Sequence, residues 1–326
     1  MAIDSEVQVI IEQFEKFKTP PFDTLSPQAA RNHPSLKNAV EELGAANLMN
    51  RLGNIFHPYP ELVHSITHCL VPSRDEHLLA RIFRPNDRKL LPVIVYFHGG
   101  GWVISNLDVY ESSCRALCNA CQAIVISVAY RLAPENKFPV PANDAYDSLQ
   151  WLMDHASDFG GDSSKVVVCG ESAGGNLAAV SCLKALDEKG RMPRGQVLIY
   201  PVTDSRLNTP SMLEFSQTIP LNNKMMPWFW NHYLQNDSQK REIYAAPIFA
   251  ENFIGLPPTL LITAEYDPLR DEGENYAQKL SKAGVPVQST RYKGMIHEFF
   301  GLSSSVSQAA QAVKEVADWM AELFRS

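Results

Sequence analysis

The 326-residue chain lacks any run of Lys and Arg. Its 29 basic and 36 acidic residues give a formal net charge of −7, which is spread along the sequence. A phosphate backbone or an anionic membrane attracts clustered positive charge, so nucleic acid is not an expected partner. No segment approaches the length and apolarity of a membrane span, and no stable membrane insertion is expected.

The first 18 residues lack the basic start and the continuous apolar core of a signal peptide. Six cysteines are present, and Cys169 and Cys182 lie inside apolar runs, where a thiol behaves as a small hydrophobe. These features predict a cytoplasmic location with reduced thiols.

Metal-binding patterns are also missing. Cys114, Cys118 and Cys121 fall on one face at helical spacing, which favours core packing over a metal site with turn geometry. His64 and His68 are four residues apart, but no Glu follows His64, so the zinc-protease pattern is absent. We expect neither a metal nor a cofactor.

From residue 92 onward, short apolar runs alternate with longer helical patterns, which indicates crossover units and a largely parallel sheet. The predicted strands are 93–97, 123–128, 166–169, 196–200, 259–263 and 287–292. The predicted helices are 112–121, 143–156, 176–189, 271–283 and 305–324, with Gly190 and Gly284 placed where left-handed residues end helices. Residues 65–72 and 78–84 are expected to form an antiparallel pair at one edge.

Two regions do not fit this alternation. Residues 1–60 are helical with proline breaks, and residues 205–245 insert an aromatic-rich segment that contains Trp228. An insertion near the carboxyl ends of the strands is a natural lid. The predicted division is a helical cap from 1–60 and 205–245 over a core from 61–204 and 246–326; alternatively, the aromatic side chains simply pack the insertion to the core.

A serine stands at the apex of a strand, sharp turn and helix. GESAGG at residues 170–175 follows the apolar run 165–169 and opens a helical segment. Small residues beside Ser172 let the backbone adopt a strained turn that exposes the hydroxyl. The pattern predicts a nucleophile elbow rather than an ordinary glycine-rich turn.

A serine hydroxyl needs a base that removes its proton and an acid that orients the base. His297 lies on the loop after the last predicted strand, where the base is expected. Asp267 follows the penultimate strand and is the preferred acid. Asp271 looks better placed as the N-terminal residue of a helix, and Asp204 is a weaker rival.

A glycine-rich segment, HGGGW at residues 98–102, directly follows a predicted strand. Its backbone amides can meet the negative charge that develops on a substrate carbonyl oxygen during attack by serine. A phosphate-binding loop is the alternative, but the Lys-Ser/Thr sequence that would follow it is missing.

With these motifs in place, the chain resembles the hormone-sensitive lipase family of α/β-hydrolases. Further segments between about residues 90 and 300 carry the likeness: YRLAPE at 130–135, FP at 138–139, the Asp144 region, YP at 200–201 and DPLRDEG at 267–273. The expected fold is the α/β-hydrolase fold, a mostly parallel sheet flanked by helices with a helical cap.

The resemblance implies a catalytic triad of Ser172, Asp267 and His297. It also implies an oxyanion hole formed by the amides of Gly100, Gly101 and Ala173, with Gly99 as the bend. Glu171 stands where many relatives carry aspartate. Trp102, Tyr200 and Trp228 are candidate substrate-pocket residues.

The predicted activity is that of a serine carboxylesterase, which forms an acyl-enzyme on Ser172 from small esters of short to medium acyl chain. An amidase, a lactonase or a natural-product deacetylase would use the same triad. A ligand receptor on this scaffold, as in the plant gibberellin receptors, would have lost the catalytic histidine, whereas this chain keeps His297. The edge strand near residues 287–292 suggests a homodimer.

Overall fold

The computed structural model describes residues 2–50 and 61–325, apart from the side chains of residues 45–50. In this part of the chain eight strands form one sheet in the order β1-β2-β4-β3-β5-β6-β7-β8. The strands are β1 Ser65–Pro72, β2 His77–Arg84, β3 Leu91–Phe97, β4 Ile124–Val128, β5 Gly161–Glu171, β6 Gly195–Ile199, β7 Thr259–Tyr266 and β8 Val287–Ile296. The helices are α1 Ser5–Glu15, α2 Pro27–Arg31, α3 Leu36–Asn50, α4 Glu111–Cys121, α5 Val140–Asp154, α6 Ala173–Asp187, α7 Pro210–Glu214, α8 Met225–Tyr233, α9 Arg270–Lys282 and α10 Ser307–Leu323.

The sheet is mixed at one edge only. β1 pairs with β2 and β2 with β4 in antiparallel orientation, whereas every pairing from β4 through β8 is parallel. Both the predicted antiparallel pair and the predicted parallel sheet are therefore confirmed. β8 forms the other edge, as the sequence predicted.

Helices cover both faces of the central strands, which explains why these strands are apolar almost throughout. In β3, Val93, Val95 and Phe97 pack on one side of the sheet. Ile94 and Tyr96 pack on the other side. Burial of each such side chain contributes roughly 1.5–3 kcal/mol, so the central strands anchor the loops that follow them.

The register of the sheet brings the carboxyl ends of three central strands close together. Phe97 lies beside Gly170, and Glu171 lies beside Ile199. The glycine-rich segment, the serine turn and the segment after β6 therefore meet at the carboxyl end of the sheet. α/β proteins bind their ligands at this carboxyl end of the sheet.

Several boundaries differ from those predicted. β5 begins five residues before position 166, because its polar first residues extend past the buried core and give no apolar signal. The predicted left-handed cap at Gly190 is wrong: Lys189 takes that conformation, with φ 55°. Gly284 does adopt it, with φ 85°.

The N-terminal segment contacts the insertion after β6. The ring centroids of Phe22 and Trp228 are 5.1 Å apart, and Trp228 Nε1 donates a hydrogen bond to the Leu25 carbonyl at 3.1 Å. The division into cap and core remains a prediction, and residues 51–60 of the predicted cap lie outside the described residues. Of the helices that the structure describes, none is long and apolar enough to cross a membrane.

Candidate active site

Ser172 lies at the junction of β5 and α6 in a strained backbone conformation, with φ 56° and ψ −117°. The Ser172 amide donates to the Ile199 carbonyl at 2.9 Å, which ties the turn to the end of β6. A Cβ on Gly170 would collide with the Gly174 carbonyl, and a Cβ on Gly174 would collide with the Phe97 carbonyl. Only glycine fits at these two positions, and the turn has the form of a nucleophile elbow.

The structure brings Ser172, His297 and Asp267 together although they come from three distant parts of the chain. His297 Nε2 lies 3.0 Å from Ser172 Oγ, and His297 Nδ1 lies 2.7 Å from Asp267 Oδ2. The second Asp267 oxygen accepts a hydrogen bond from the Leu269 amide at 2.8 Å. All three side chains are buried. This is the geometry in which an acid orients a base toward a nucleophile.

The electrostatic surroundings of His297 favour its protonated form. Burial alone would lower the pKa of the imidazole, but the neighbouring carboxylate of Asp267, with further contributions from Glu298 and Glu171, raises the pKa above its ordinary value of 6.5. A histidine in this setting can hold the proton taken from a serine hydroxyl.

The other two acids considered in the sequence lie in different interactions. The Asp204 carboxylate forms an ion pair with Arg206 at 2.5 Å. Asp271 lies in the first turn of α9, and its Oδ2 accepts a hydrogen bond from the Ser211 amide at the start of α7. Neither residue has His297 as a hydrogen-bond partner among the described residues.

The glycine-rich segment bends beside the serine turn. Gly100 and Gly101 have φ values of 103° and 57°, and Trp102 continues the left-handed run with φ 61°. The bend therefore begins at Gly100 and not at Gly99, which corrects that expectation. In the described part of the chain, no hydrogen-bond acceptor is found for the amides of Gly100 and Gly101. The Ala173 amide stands at the first position of α6, where helical amides have no intrahelical acceptor.

Two side chains, Tyr130 and Arg31, hold this segment and the residue that follows it in place. The Tyr130 hydroxyl donates to the His98 carbonyl at 2.8 Å, and the two rings stack with centroids 4.5 Å apart. Arg31 donates to the Val103 carbonyl at 2.9 Å and pairs with Glu135 at 2.6 Å. The family-like motif at 130–135 thus supports the segment structurally.

The three predicted pocket residues occupy different environments. Trp102 is fully buried and stacks on Tyr233, with ring centroids 4.1 Å apart. Tyr200 is also fully buried, and its ring centroid lies 4.6 Å from that of His297. Trp228 lies on α8, where its ring contacts Phe22 of the N-terminal segment and the neighbouring Phe229. Contact of these side chains with substrate remains a prediction.

The carboxyl of Glu171, the residue before Ser172, is fully buried, and its hydrogen-bond partners were not predicted from the sequence. Glu171 accepts hydrogen bonds from the hydroxyls of Tyr96 and Tyr200. Burial raises the pKa of this carboxyl, whereas its hydrogen-bond donors act in the opposite direction. Tyrosine and glutamate are common, so only the three-dimensional arrangement identifies the cluster.

A cavity of about 650 Å³ lies beside Ile104 and Ser105, which follow the glycine-rich segment, and beside Glu298, which follows His297. It is bounded by the N-terminal segment on one side and by residues 218–225 of the insertion on another. Its described lining includes Phe14, Phe22, His33, Glu42, Ser105 and Glu298. Its volume falls in the range of small-molecule sites.

No metal-binding cluster of three or more His, Cys, Asp or Glu side chains is found within residues 2–50 and 61–325. Cys114 and Cys118 are buried in the core on α4, as the packing interpretation of the cysteines predicts.

Comparison with known proteins agrees with the hydrolase chemistry that the site geometry indicates. The sequence profile of the alpha/beta hydrolase fold matches residues 94–301. The carboxylic ester hydrolase LipN of Mycobacterium tuberculosis is 37% identical over 265 residues, which cover 79% of this chain and 70% of LipN. An arylesterase of Saccharolobus solfataricus is 33% identical over 282 residues, which cover 82% of this chain and 92% of that protein. Among solved structures, a hyperthermophilic esterase from Pyrobaculum calidifontis superposes over all of both chains with a TM-score of 0.87 and 34% identity.

The chain therefore belongs to the α/β-hydrolase family, in its hormone-sensitive lipase group. Within that group it is a carboxylic ester hydrolase.

Proposed function

We propose that this carboxylesterase cleaves small esters of short to medium acyl chain through an acyl-enzyme on Ser172. The observation that carries the proposal is the pair of contacts made by His297, one to Ser172 Oγ at 3.0 Å and one to Asp267 at 2.7 Å. A histidine held in this way takes the serine proton at Nε2 while the acid fixes its Nδ1 proton.

In the first half-reaction Ser172 Oγ attacks the ester carbonyl carbon, and its proton passes to His297 Nε2. The carbonyl oxygen becomes an oxyanion, which accepts hydrogen bonds from the amides of Gly100, Gly101 and Ala173. His297 then donates its proton to the alcohol oxygen as the carbon–oxygen bond breaks. The acyl group remains on Ser172.

In the second half-reaction water occupies the place of the alcohol. His297 removes a proton from the water, which attacks the acyl carbon, and the same three amides meet the second oxyanion. Collapse of this intermediate returns the proton from His297 to Ser172 Oγ and releases the carboxylic acid. Neither half-reaction draws on a metal or a cofactor.

The preference for short to medium acyl chains rests on a cavity and on one relative. The cavity of about 650 Å³ that Glu298 lines has the volume of a small-molecule site. An ethyl acetate hydrolase of Pseudomonas putida is 33% identical over 258 residues, which supports small esters as substrates. Amides, lactones and acetylated natural products use the same acyl transfer and are the competing substrate classes.

Hydrolysis of p-nitrophenyl esters from acetate to palmitate tests the proposal. We expect turnover that is highest for the shorter acyl chains and that falls to background in Ser172→Ala. The exposed serine of β8 gives a matched control, since Ser289→Ala removes a hydroxyl far from the turn. Equal activity of wild type and Ser172→Ala would remove Ser172 from the mechanism.

We also propose that the protein works in the cytoplasm as a homodimer. All six cysteines are unpaired, as a reducing compartment requires. β8 pairs only with β7 in the described sheet and offers a free edge for a second copy. Cell fractionation tests the location, and light scattering coupled to size-exclusion chromatography tests the dimer, where a monomer mass would overturn it.

A further inference from the structure

Glu298 has a backbone conformation that residues other than glycine rarely adopt. It directly follows His297 and has a left-handed backbone with φ 65°. Such a conformation is unfavourable for a non-glycine residue and is concentrated at functional sites. The carboxyl lies beside the Tyr110 hydroxyl and also lines the cavity. A strained residue next to the base therefore places a carboxyl group at the cavity. Burial raises the pKa of this carboxyl, whereas His297 and the Tyr110 hydroxyl lower it, so its full negative charge develops at a higher pH than that of an exposed glutamate.

The described lining of the cavity carries unbalanced negative charge. Its acidic side chains are Glu42 and Glu298, and its cation is Arg31. The positive charge of Arg31 is balanced by Glu135, because the Arg31 guanidinium donates two hydrogen bonds to the Glu135 carboxylate, at 2.9 and 2.6 Å. Phe14 and Phe22 add aromatic rings to the same wall. Carboxylates together with aromatic rings favour a cation over an anion.

The chemistry indicates which part of the ester meets Glu298. His297 Nε2 has to donate its proton to the leaving alcohol oxygen, so the alcohol moiety lies on the histidine side of the scissile bond. Glu298 is the next residue along the chain and lines the cavity. A substituent on the alcohol, rather than on the acyl group, comes closest to its carboxylate.

We propose that Glu298 is a specificity-determining residue, which makes the enzyme prefer esters whose alcohol carries a positively charged ammonium group. This inference rests on the proposed function and narrows its substrate class. The reaction itself is unchanged: Ser172 accepts the acyl group and His297 protonates the alcohol. The carboxylate attracts the cationic alcohol and repels an anionic one.

The test compares two thioesters of the same shape and different charge. Acetylthiocholine carries a quaternary nitrogen where 3,3-dimethylbutyl thioacetate carries a carbon atom. The ratio of their kcat/KM values isolates the charge, because both substrates share the Ser172 and His297 steps. The assay is run at mildly alkaline pH to keep the carboxylates ionised, with wild type and Glu298→Gln.

We expect a ratio above one for wild type and a fall of about fivefold or more in Glu298→Gln, because one partly buried charge is removed beside the cation. Glu251 is exposed, so Glu251→Gln removes the same charge from the surface and should leave the ratio unchanged. A ratio that is the same in wild type and Glu298→Gln overturns the proposal. So does a ratio that falls equally in Glu251→Gln, since net charge would then explain it.

Inhibition gives a second measurement that does not require turnover of either thioester. Choline and 3,3-dimethylbutanol are compared as competitive inhibitors of p-nitrophenyl acetate hydrolysis. We expect choline to bind more tightly to wild type than to Glu298→Gln, with no such difference for the neutral alcohol. Equal inhibition by choline in both proteins overturns the proposal. Loss of p-nitrophenyl acetate hydrolysis in Ser172→Ala tests the proposed function separately, whichever way the charge comparison turns out.

Discussion

The Tyr200 hydroxyl donates a hydrogen bond to the buried carboxyl of Glu171, the residue before Ser172. This contact ties the segment after β6 to the serine turn, and Tyr96 donates to the second oxygen of the same carboxyl. The ring of Tyr200 also lies against His297. The buried side chain of Tyr200 therefore contacts both the residue before the nucleophile and the base.

Removal of this hydroxyl should destabilise the fold. Tyr200→Phe leaves one oxygen of the buried Glu171 carboxyl without its donor, and an unsatisfied buried acceptor costs about 1–3 kcal/mol. We expect the free energy of unfolding to fall by about 2 kcal/mol in urea denaturation followed by circular dichroism.

Tyr276 provides the matched control for that substitution. It is also a fully buried tyrosine, but its hydroxyl has no hydrogen-bond partner among the described residues. Tyr276→Phe should leave the stability unchanged or raise it, since no bond is lost. Equal losses in Tyr200→Phe and Tyr276→Phe would show that the Glu171 contact adds nothing.

The pH dependence of the reaction should report the environment of His297. The base has to be neutral, so kcat/KM rises with pH as His297 loses its proton in the free enzyme. Because the surrounding carboxylates raise the pKa of His297, the midpoint of the acid limb should lie above the ordinary value of 6.5. A pH profile with p-nitrophenyl acetate measures this midpoint.

Substitution of Glu298 should shift the midpoint of the acid limb of that pH profile. The Glu298 carboxylate contributes to the raised pKa of His297. Its removal in Glu298→Gln should move the midpoint of the acid limb to lower pH, because the protonated imidazole loses a favourable neighbour. A shift to higher pH, or no shift, would contradict the assigned electrostatic role.

The choice between the candidate acids can be tested directly. Asp267→Asn should lower kcat by about four orders of magnitude, because an amide cannot hold the histidine in the required tautomer. Asp204→Asn removes an equally buried carboxylate that binds Arg206, so it should affect stability far more than kcat. Steady-state kinetics and thermal melts of both variants decide the assignment; a reversed pattern would make Asp204 the acid.

The sequence predicted the sheet well because its signals are local. The run 166–169 is apolar since both faces of that strand are covered, and the small residues around Ser172 are required by one turn. Long-range relationships left no such signal. The Tyr200 contact with Glu171 joins residues 29 apart, and the cavity joins the N-terminal segment to Glu298, so neither follows from spacing or composition.

Helix starts show the same limit. Residue 143 was the predicted first residue of α5, yet the helix begins at Val140 and includes Pro141 in its first turn. Proline is tolerated in the first turn because the amides there have no intrahelical acceptor. Sequence rules that treat proline as a breaker therefore place this boundary too late.

The glycine-rich segment allows a test of the oxyanion hole. A Cβ on Gly101 would overlap the ring of Phe229 on α8, so Gly101→Ala has to displace the backbone amide from its position. Displacement of one oxyanion donor typically lowers kcat by about two to three orders of magnitude. We expect a loss of that size with p-nitrophenyl acetate.

Substitution of Gly284 provides a control that separates displacement of the Gly101 amide from the cost of backbone strain alone. It has a left-handed backbone like Gly101, with φ 85°, but a Cβ there would meet no atom within 4 Å. Gly284→Ala should therefore cost about 1 kcal/mol of stability and leave kcat unchanged, because only the conformational preference of alanine opposes the turn. If Gly101→Ala were to lose stability and keep its kcat, as expected of Gly284→Ala, the amide of Gly101 would not be an oxyanion donor. The hole would then depend on Gly100 and Ala173.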